Sequence, residues 1–198
     1  MSRPQLWVFA GPNGAGKSTL VRAYWVAARI PVVNPDEIAR SIKPDHHGAA
    51  VIMLQAGKEA ARLRREHIAA ARSFAIETTL SGHSELHVME DAKSAGFKVN
   101  LIFVGIAGPE TSLARVRGRV RDGGHDVPVA DIRRRYDRTM TNLRAAVTLA
   151  DRSFVLDNQG KSHPRLLIVF DEGRIRQVAR VLPAWATQAL VEPDAAGS

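Results

Sequence analysis

Cysteine is missing from this chain of 198 residues, which excludes disulfide cross-links and cysteine-ligated zinc. Aromatic residues are scarce, at 6%, and few interleave with the basic residues, so no stacking platform for single-stranded nucleic acid is in view. No apolar run approaches the roughly 20 residues needed to cross a bilayer. No basic segment leads into a short apolar one as in a secretion signal. Internal repeats and interdomain linkers are missing too. The expectation is one domain over residues 1–191 with a loose tail at 192–198, cytoplasmic, with no membrane partner.

Positive charge, in contrast, is plentiful. The formal net charge is +8. Its distribution is uneven: Arg115, Arg117, Arg119, Arg121, Arg133, Arg134, Arg135 and Arg138 crowd one short segment. Arginine's planar fork donates two parallel hydrogen bonds and suits phosphate. A solvated helix face, or nonspecific attraction to nucleic acid, is the plainer reading of the same residues.

The segment Gly11, Pro12, Asn13, Gly14, Ala15, Gly16, Lys17, Ser18, Thr19 fits G-x-x-x-x-G-K-[ST], the P-loop. An apolar run ends at Ala10 and a helical pattern starts at Lys17. Glycines between them let the backbone turn its N–H groups inward as an anion nest. The helix start adds its dipole and free N–H groups. Lys17 is placed for the β- and γ-phosphates of ATP or GTP, and Ser18 for Mg²⁺.

Periodicity predicts strands 5–10, 31–34, 74–78, 98–106, 152–157 and 165–171. It predicts helices 17–29, Asp36 to about Ile42, 49–72, 84–95, 110–121 and 129–149. "DEGR" reads as a turn, and Pro183 opens a last short helix. Alternating strands and helices imply an α/β, P-loop NTPase/kinase-like three-layer sandwich, mostly parallel, with helices on both faces. Antiparallel pairs at one edge would come from the last strands. The ligand site then lies at the carboxyl ends of the strands.

Three segments fall there. In "NPDE", Asp36 is either a carboxylate that takes a proton from an attacking hydroxyl or the N-cap of the next helix. In "FAIETTLSG", Glu77, Thr78, Thr79 and Ser81 cluster at a strand tip. They can grip a sugar or nucleoside hydroxyl, or Glu77 can reach Mg²⁺ through water; the alternative is a strand end that caps a helix. After Ile106 come two helices joined by "DGGHDVP". Each has an apolar stripe, with Arg115 and Arg119 off one and Arg134, Arg138 and Asn142 off the other. That describes an Arg-rich lid over about 110–149, or else a solvated hairpin. "LIFVGI" ends without an acid, so no Walker-B carboxylate is evident, which points away from motor-type ATPases and toward a small-molecule kinase. Asp157 ends a later strand, in "FVLDNQG", where it and Asn158 can border a nucleotide base.

In order, "GPNGAGKST", "NPDEIAR", "IETTLSG", "RVRGRVRDGGHDVP", "IRRRYDRTMTNL" and "LDNQG" resemble the zeta-toxin family of P-loop kinases, most of all its compact branch, over about residues 5–160. The resemblance implies an ATP- or GTP-dependent, Mg²⁺-requiring kinase that phosphorylates the 3′-hydroxyl of UDP-N-acetylglucosamine. It implies Asp36 as catalytic base, with Lys17, Arg119 and Arg134 assisting transfer. It implies Gly11 to Thr19, Asp157 and Asn158 at the nucleotide, and Asn34, Glu77, Thr78, Thr79, His125 and Arg135 at the acceptor. A proteinaceous antitoxin is an implied partner; nucleic acid is not. The chain is shorter than the well-known toxins and lacks room for their extra substrate-binding elements. Another small metabolite or a nucleoside is therefore the alternative acceptor, and a basic P-loop ATPase on nucleic acid is the alternative of another class.

Overall fold

Six residues, Gln5–Ala10, form the strand around which the sheet is laid (β1). β1 runs parallel to β3 (Phe74–Thr78) on one side and to β4 (Lys98–Gly105) on the other, with Leu6 opposite both Phe74 and Val99. The computed structural model describes residues 3–25, 30–42, 48–121, 127–160 and 163–191. Within them the sheet order is β2-β3-β1-β4-β5-β6-β7. β2 is Val32–Val33, β5 is Arg152–Asp157, β6 is Arg165–Asp171 and β7 is Arg174–Val178. The first five strands in that order are parallel, and β6 and β7 are antiparallel.

A parallel centre has to be covered on both faces, which is why β1, β3 and β4 read as near-continuous apolar runs. Leu6, Val8, Phe74, Ile76, Val99, Leu101 and Phe103 face the larger core. It is closed by α3 (Ala49–Ala69), α4 (Ser84–Ser94), α6 (Val129–Leu149) and α7 (Ala184–Leu190). Phe9 and Ala75 face the other way, onto Val21 of α1 (Lys17–Trp25). Phe74, Phe97 and Phe103 are fully buried, each contributing about 1.5–3 kcal/mol through loss of apolar surface to water. The remaining described helices, α2 (Pro35–Ser41) and α5 (Gly108–Arg121), stand at the carboxyl end of the sheet.

The bounds of β3, α6, β5 and β6 are those the sequence predicts. β7 is an addition: all five of its residues are exposed, so it has no burial rhythm for a sequence reading to find, and it is held by its ladder to β6. α2 starts one residue earlier than expected because Pro35 occupies its first turn, with its φ already helical and no N–H to satisfy. Residues 26–29 of the expected helix 17–29, residues 43–47 of the loop after Ile42, "DGGHD" and the tail 192–198 lie outside the described residues.

The hairpin of α5 and α6 differs from a detached lid. Leu143, Ala146 and Val147 of α6 belong to the main core, and Ala150 closes it. Asn142, expected on the solvent side, is only 8% exposed. It donates from Nδ2 to the carbonyls of Leu80 and Gly82, at 2.9 and 3.3 Å. Those carbonyls sit in a loop, outside any ladder, and a buried carbonyl needs a donor. Leu113, Val116 and Ile132 form a separate small cluster between the outer parts of the two helices.

Candidate active site

Residues 11–18 wrap between β1 and α1 with Gly11, Gly14 and Gly16 at positive φ, 144°, 73° and 93°. A Cβ at Gly11 would collide with the Val104 carbonyl, and one at Gly16 would lie 2.6 Å from the Asn158 amide. Only glycine fits this turn. Four carbonyls of the loop are hydrogen-bonded. Pro12 O accepts from Ala15 N at 3.2 Å and from Lys17 Nζ at 2.9 Å. Gly16 O accepts from Leu20 N at 3.1 Å. Ala15 O accepts from Asn158 Nδ2 at 2.8 Å, and Gly14 O from Arg115 at 3.3 Å.

Lys17 is 8% exposed, and burial pushes its ammonium down to about 8, against the opposing pull of Glu77 and Asp36. Arg119 of α5 adds a smaller push in the same direction as burial. Two carboxylates and a second cation thus lie within electrostatic reach of one lysine, brought there from the tip of β3, from α2 and from α5.

The acids are held differently. Glu77 is half-buried and both its oxygens are engaged: Oε1 accepts from Ser18 Oγ at 2.6 Å and Oε2 from Asn34 Nδ2 at 2.9 Å. Asn34 also caps α2, its Oδ1 accepting from Asp36 N at 2.9 Å. The cap is therefore Asn34, and the N-cap alternative for Asp36 is corrected. With proline in the first turn, the cap falls one residue before it, which leaves the Asp36 carboxylate on the exposed side of α2. Thr19 is exposed on α1.

Beyond β3 the chain turns back at Leu80, whose φ is 59°. Thr78 Oγ1 accepts from Leu80 N at 2.9 Å, and the Thr79 and Ser81 hydroxyls bond each other at 2.8 Å. Thr139 of α6 donates to Thr79 O at 2.6 Å. One turn before Thr139, Arg135 is half-buried. Arg134 lies on the outer side, 55% exposed and paired with Asp131 at 2.6 Å. His125 lies outside the described residues.

On the nucleotide side, Asn158 meets the phosphate loop, whereas Asp157 Oδ1 accepts from Trp185 Nε1 of α7 at 3.1 Å. Tyr136 links α6 to the start of α5, donating to Ile106 O and accepting from Gly108 N, both at 2.9 Å. Burial pushes its phenol up. Thr139 and Trp185 are contributors that sequence reading does not single out, and Arg115 and Asn142 are ones it places only on the outer side of lid helices. For Arg115 the signal present was its position off the apolar stripe; for Trp185 there was none.

A glycine loop at the end of a central parallel strand, leading into a helix that opens with Lys-Ser, defines a P-loop kinase-like fold. The family model of the zeta toxins matches residues 1–164, and the chain belongs to that family. An uncharacterized protein of Haemophilus influenzae is 38% identical over 143 residues, 69% of this chain and 100% of that protein. Among solved structures, the AvrRxo1-ORF1:-ORF2 complex with ATP is similar with a TM-score of 0.69 at 17% identity, over 89% of this chain and 60% of that one. The chain thus spans about three fifths of that protein's length. The PezAT chromosomal toxin-antitoxin system of Streptococcus pneumoniae is similar with a TM-score of 0.62 at 17% identity, over 90% of this chain and 75% of that one.

Proposed function

We propose that the protein is a phosphotransferase that moves the γ-phosphoryl group of ATP to a hydroxyl of a small molecule, with a UDP-sugar such as UDP-N-acetylglucosamine as the acceptor. The observation that carries this reading is the convergence of Glu77, Asp36 and Arg119 on Lys17. A mere nucleotide holder has no need of an exposed carboxylate whose charge reaches the lysine that grips the terminal phosphates.

In this reading the loop N–H groups and the start of α1 bind the phosphates, and Lys17 neutralises the charge that moves toward the leaving oxygen. Arg119 and Arg135, with Arg134 if the outer hairpin shifts, stabilise the transferring group. Asp36 accepts the proton of the acceptor hydroxyl while that oxygen bonds to phosphorus and the bond to ADP breaks. Asn34, Thr78 and Thr79 line the acceptor side, and His125 belongs to the same proposal. Asp157, held by Trp185, stands behind the nucleotide site.

The donor set of one hydroxyl and one carboxylate, Ser18 and Glu77, fits Mg²⁺, which binds through one or two carboxylates plus substrate phosphates. When bound, that ion supplies charge neutralisation on the β- and γ-oxygens. A proteinaceous antitoxin partner is part of the proposal, supported by likeness to a toxin-antitoxin system. The test is ATP consumption measured against a panel of nucleotide sugars, nucleosides and sugars. Stimulation by a UDP-sugar that disappears in Asp36→Asn supports the reading. ATP turnover stimulated by nucleic acid and by no small acceptor overturns it.

A further inference from the structure

Two carbonyls of the phosphate loop are served by side chains from distant parts of the chain. Pro12 O and Gly16 O are satisfied within the loop and its helix. Gly14 O and Ala15 O, next to each other in the loop, take their donors from Arg115 and Asn158. The Arg115 side chain also bonds the Asn158 main chain: it donates from its second terminal nitrogen to the backbone carbonyl of Asn158 at 2.5 Å. Asn158 is fixed in turn by its N–H, which donates to Gly105 O at 2.9 Å. The packing matches the bonding. A Cβ on Gly14 would lie 3.0 Å from Arg115 Cβ, and one on Gly16 would lie 2.6 Å from the Asn158 amide nitrogen.

We propose that Arg115 and Asn158 are positioning residues that form one brace, holding the phosphate loop in its anion-binding shape and seating α5, with Arg119, beside it. The physical reason is the polarity of a peptide nest. N–H groups can converge on an anion only if the carbonyls of the same peptides face outward, and outward-facing buried carbonyls need donors. Arg115 is suited because its fork spans two acceptors on different segments. Asn158 is suited because its amide presents a donor to Ala15 O, while the backbone carbonyl of the same residue receives Arg115. Arg115 and Arg119 are one helical turn apart on α5. Seating Arg115 on the loop therefore sets the reach of Arg119, whose charge is felt at Lys17.

This inference rests on the phosphate-binding reading of the loop, and the experiment separates the two. Binding of ATP, GTP and inorganic tripolyphosphate is measured by calorimetry for the wild type, Arg115→Lys, Asn158→Asp and the double variant, with melting temperatures alongside. Arg115→Lys keeps the charge and loses the fork; Asn158→Asp keeps the shape and replaces the donor to Ala15 O with an acceptor. The brace predicts that each single variant loses about ten- to a hundredfold in affinity. The loss is the same for all three ligands, because the loop and not the base is affected. The double variant is then no worse than the weaker single variant, since the two side chains hold adjacent carbonyls of one loop and Arg115 also holds the Asn158 backbone. Tripolyphosphate affinity kept while ATP or GTP affinity falls overturns the brace and assigns the two side chains to base or ribose. Unchanged binding of all three ligands in folded single variants also overturns it. A wild type that binds none of the three overturns the phosphate-loop reading itself.

Discussion

Ser18 Oγ donates to Glu77 Oε1 at 2.6 Å, tying the first turn of α1 to the tip of β3. Because Asn34 donates to the other oxygen, Glu77 joins β3 both to α1 and to the residue that caps α2. Glu77→Gln turns one accepting oxygen into an amide donor facing the Asn34 amide. Stability is expected to fall by about 1 kcal/mol, the value of one hydrogen bond, and the Mg²⁺ concentration for half-maximal turnover to rise. Thermal melting and a Mg²⁺ titration check this; a melting change with an unaltered Mg²⁺ requirement would leave Glu77 as a structural tie alone.

Asp36 and Asn34 are expected to fail in opposite ways. Asp36→Asn leaves the cap and the bonds of Glu77 untouched, so melting temperature and ATP affinity stay, while acceptor phosphorylation falls by roughly 10²–10⁴-fold, the contribution of a positioned base. A loose transition state gives a value at the small end. Asn34→Ala removes the cap and costs about 1 kcal/mol of stability. Early melting with full turnover per folded molecule in Asp36→Asn would move the search for a base to Glu77.

Lys17 carries the pH dependence. Its folded value of about 8 is below the ordinary 10.5, so below pH 8 it is charged and ready for phosphate, and above pH 8 binding must first restore the proton. ATP affinity is expected to be flat from pH 7 to 8 and then to fall as pH rises, by at most about tenfold per pH unit. Lys17→Ala is expected to stay folded, to lose transfer by orders of magnitude, and to lose this slope. Calorimetric titration between pH 7 and 9.5 reads it. A wild-type affinity that is level across the whole range would contradict the role given to Lys17.

The outer hairpin and the inner α6 are expected to differ in hydrogen exchange. Residues 117–121 and 127–134 should slow on addition of an ATP analogue with a UDP-sugar, since they rest on the small Leu113–Val116–Ile132 cluster and an exposed Arg133–Glu110 pair and not on the main core. Thr139 to Val147 should be protected with or without ligand, because they are core or bonded to the loop after β3. Equal protection of both parts in both states would rule out closure.

The P-loop and the central strands were legible because apolar runs, glycine and a Lys-Ser helix start are local signals. Fold-scale choices were not. Asn34 and Asp36 are both good caps, and what decided between them was Pro35, a local signal passed over. Asn142 looked solvated because it is polar and flanks arginines, yet it faces the loop carbonyls of Leu80 and Gly82. A helical wheel cannot show which carbonyls a distant loop leaves without donors. The same blindness hid Arg115. Its neighbours Gly14 and Asn158 are 101 and 43 residues away in sequence.

The place of β1 in the sheet has a consequence for synthesis. The strand that carries the phosphate loop leaves the ribosome before its ladder partners at Phe74 and Lys98 and before Asn158, the donor for Ala15 O. Contacts so far apart form late, after the closing entropy of long loops has been overcome. A nascent chain therefore lacks the braced phosphate loop until Asn158 has emerged, by which point the acid cluster and both arginine helices are out as well. Nucleotide binding is therefore expected to appear as one event once Asn158 is out, rather than in stages.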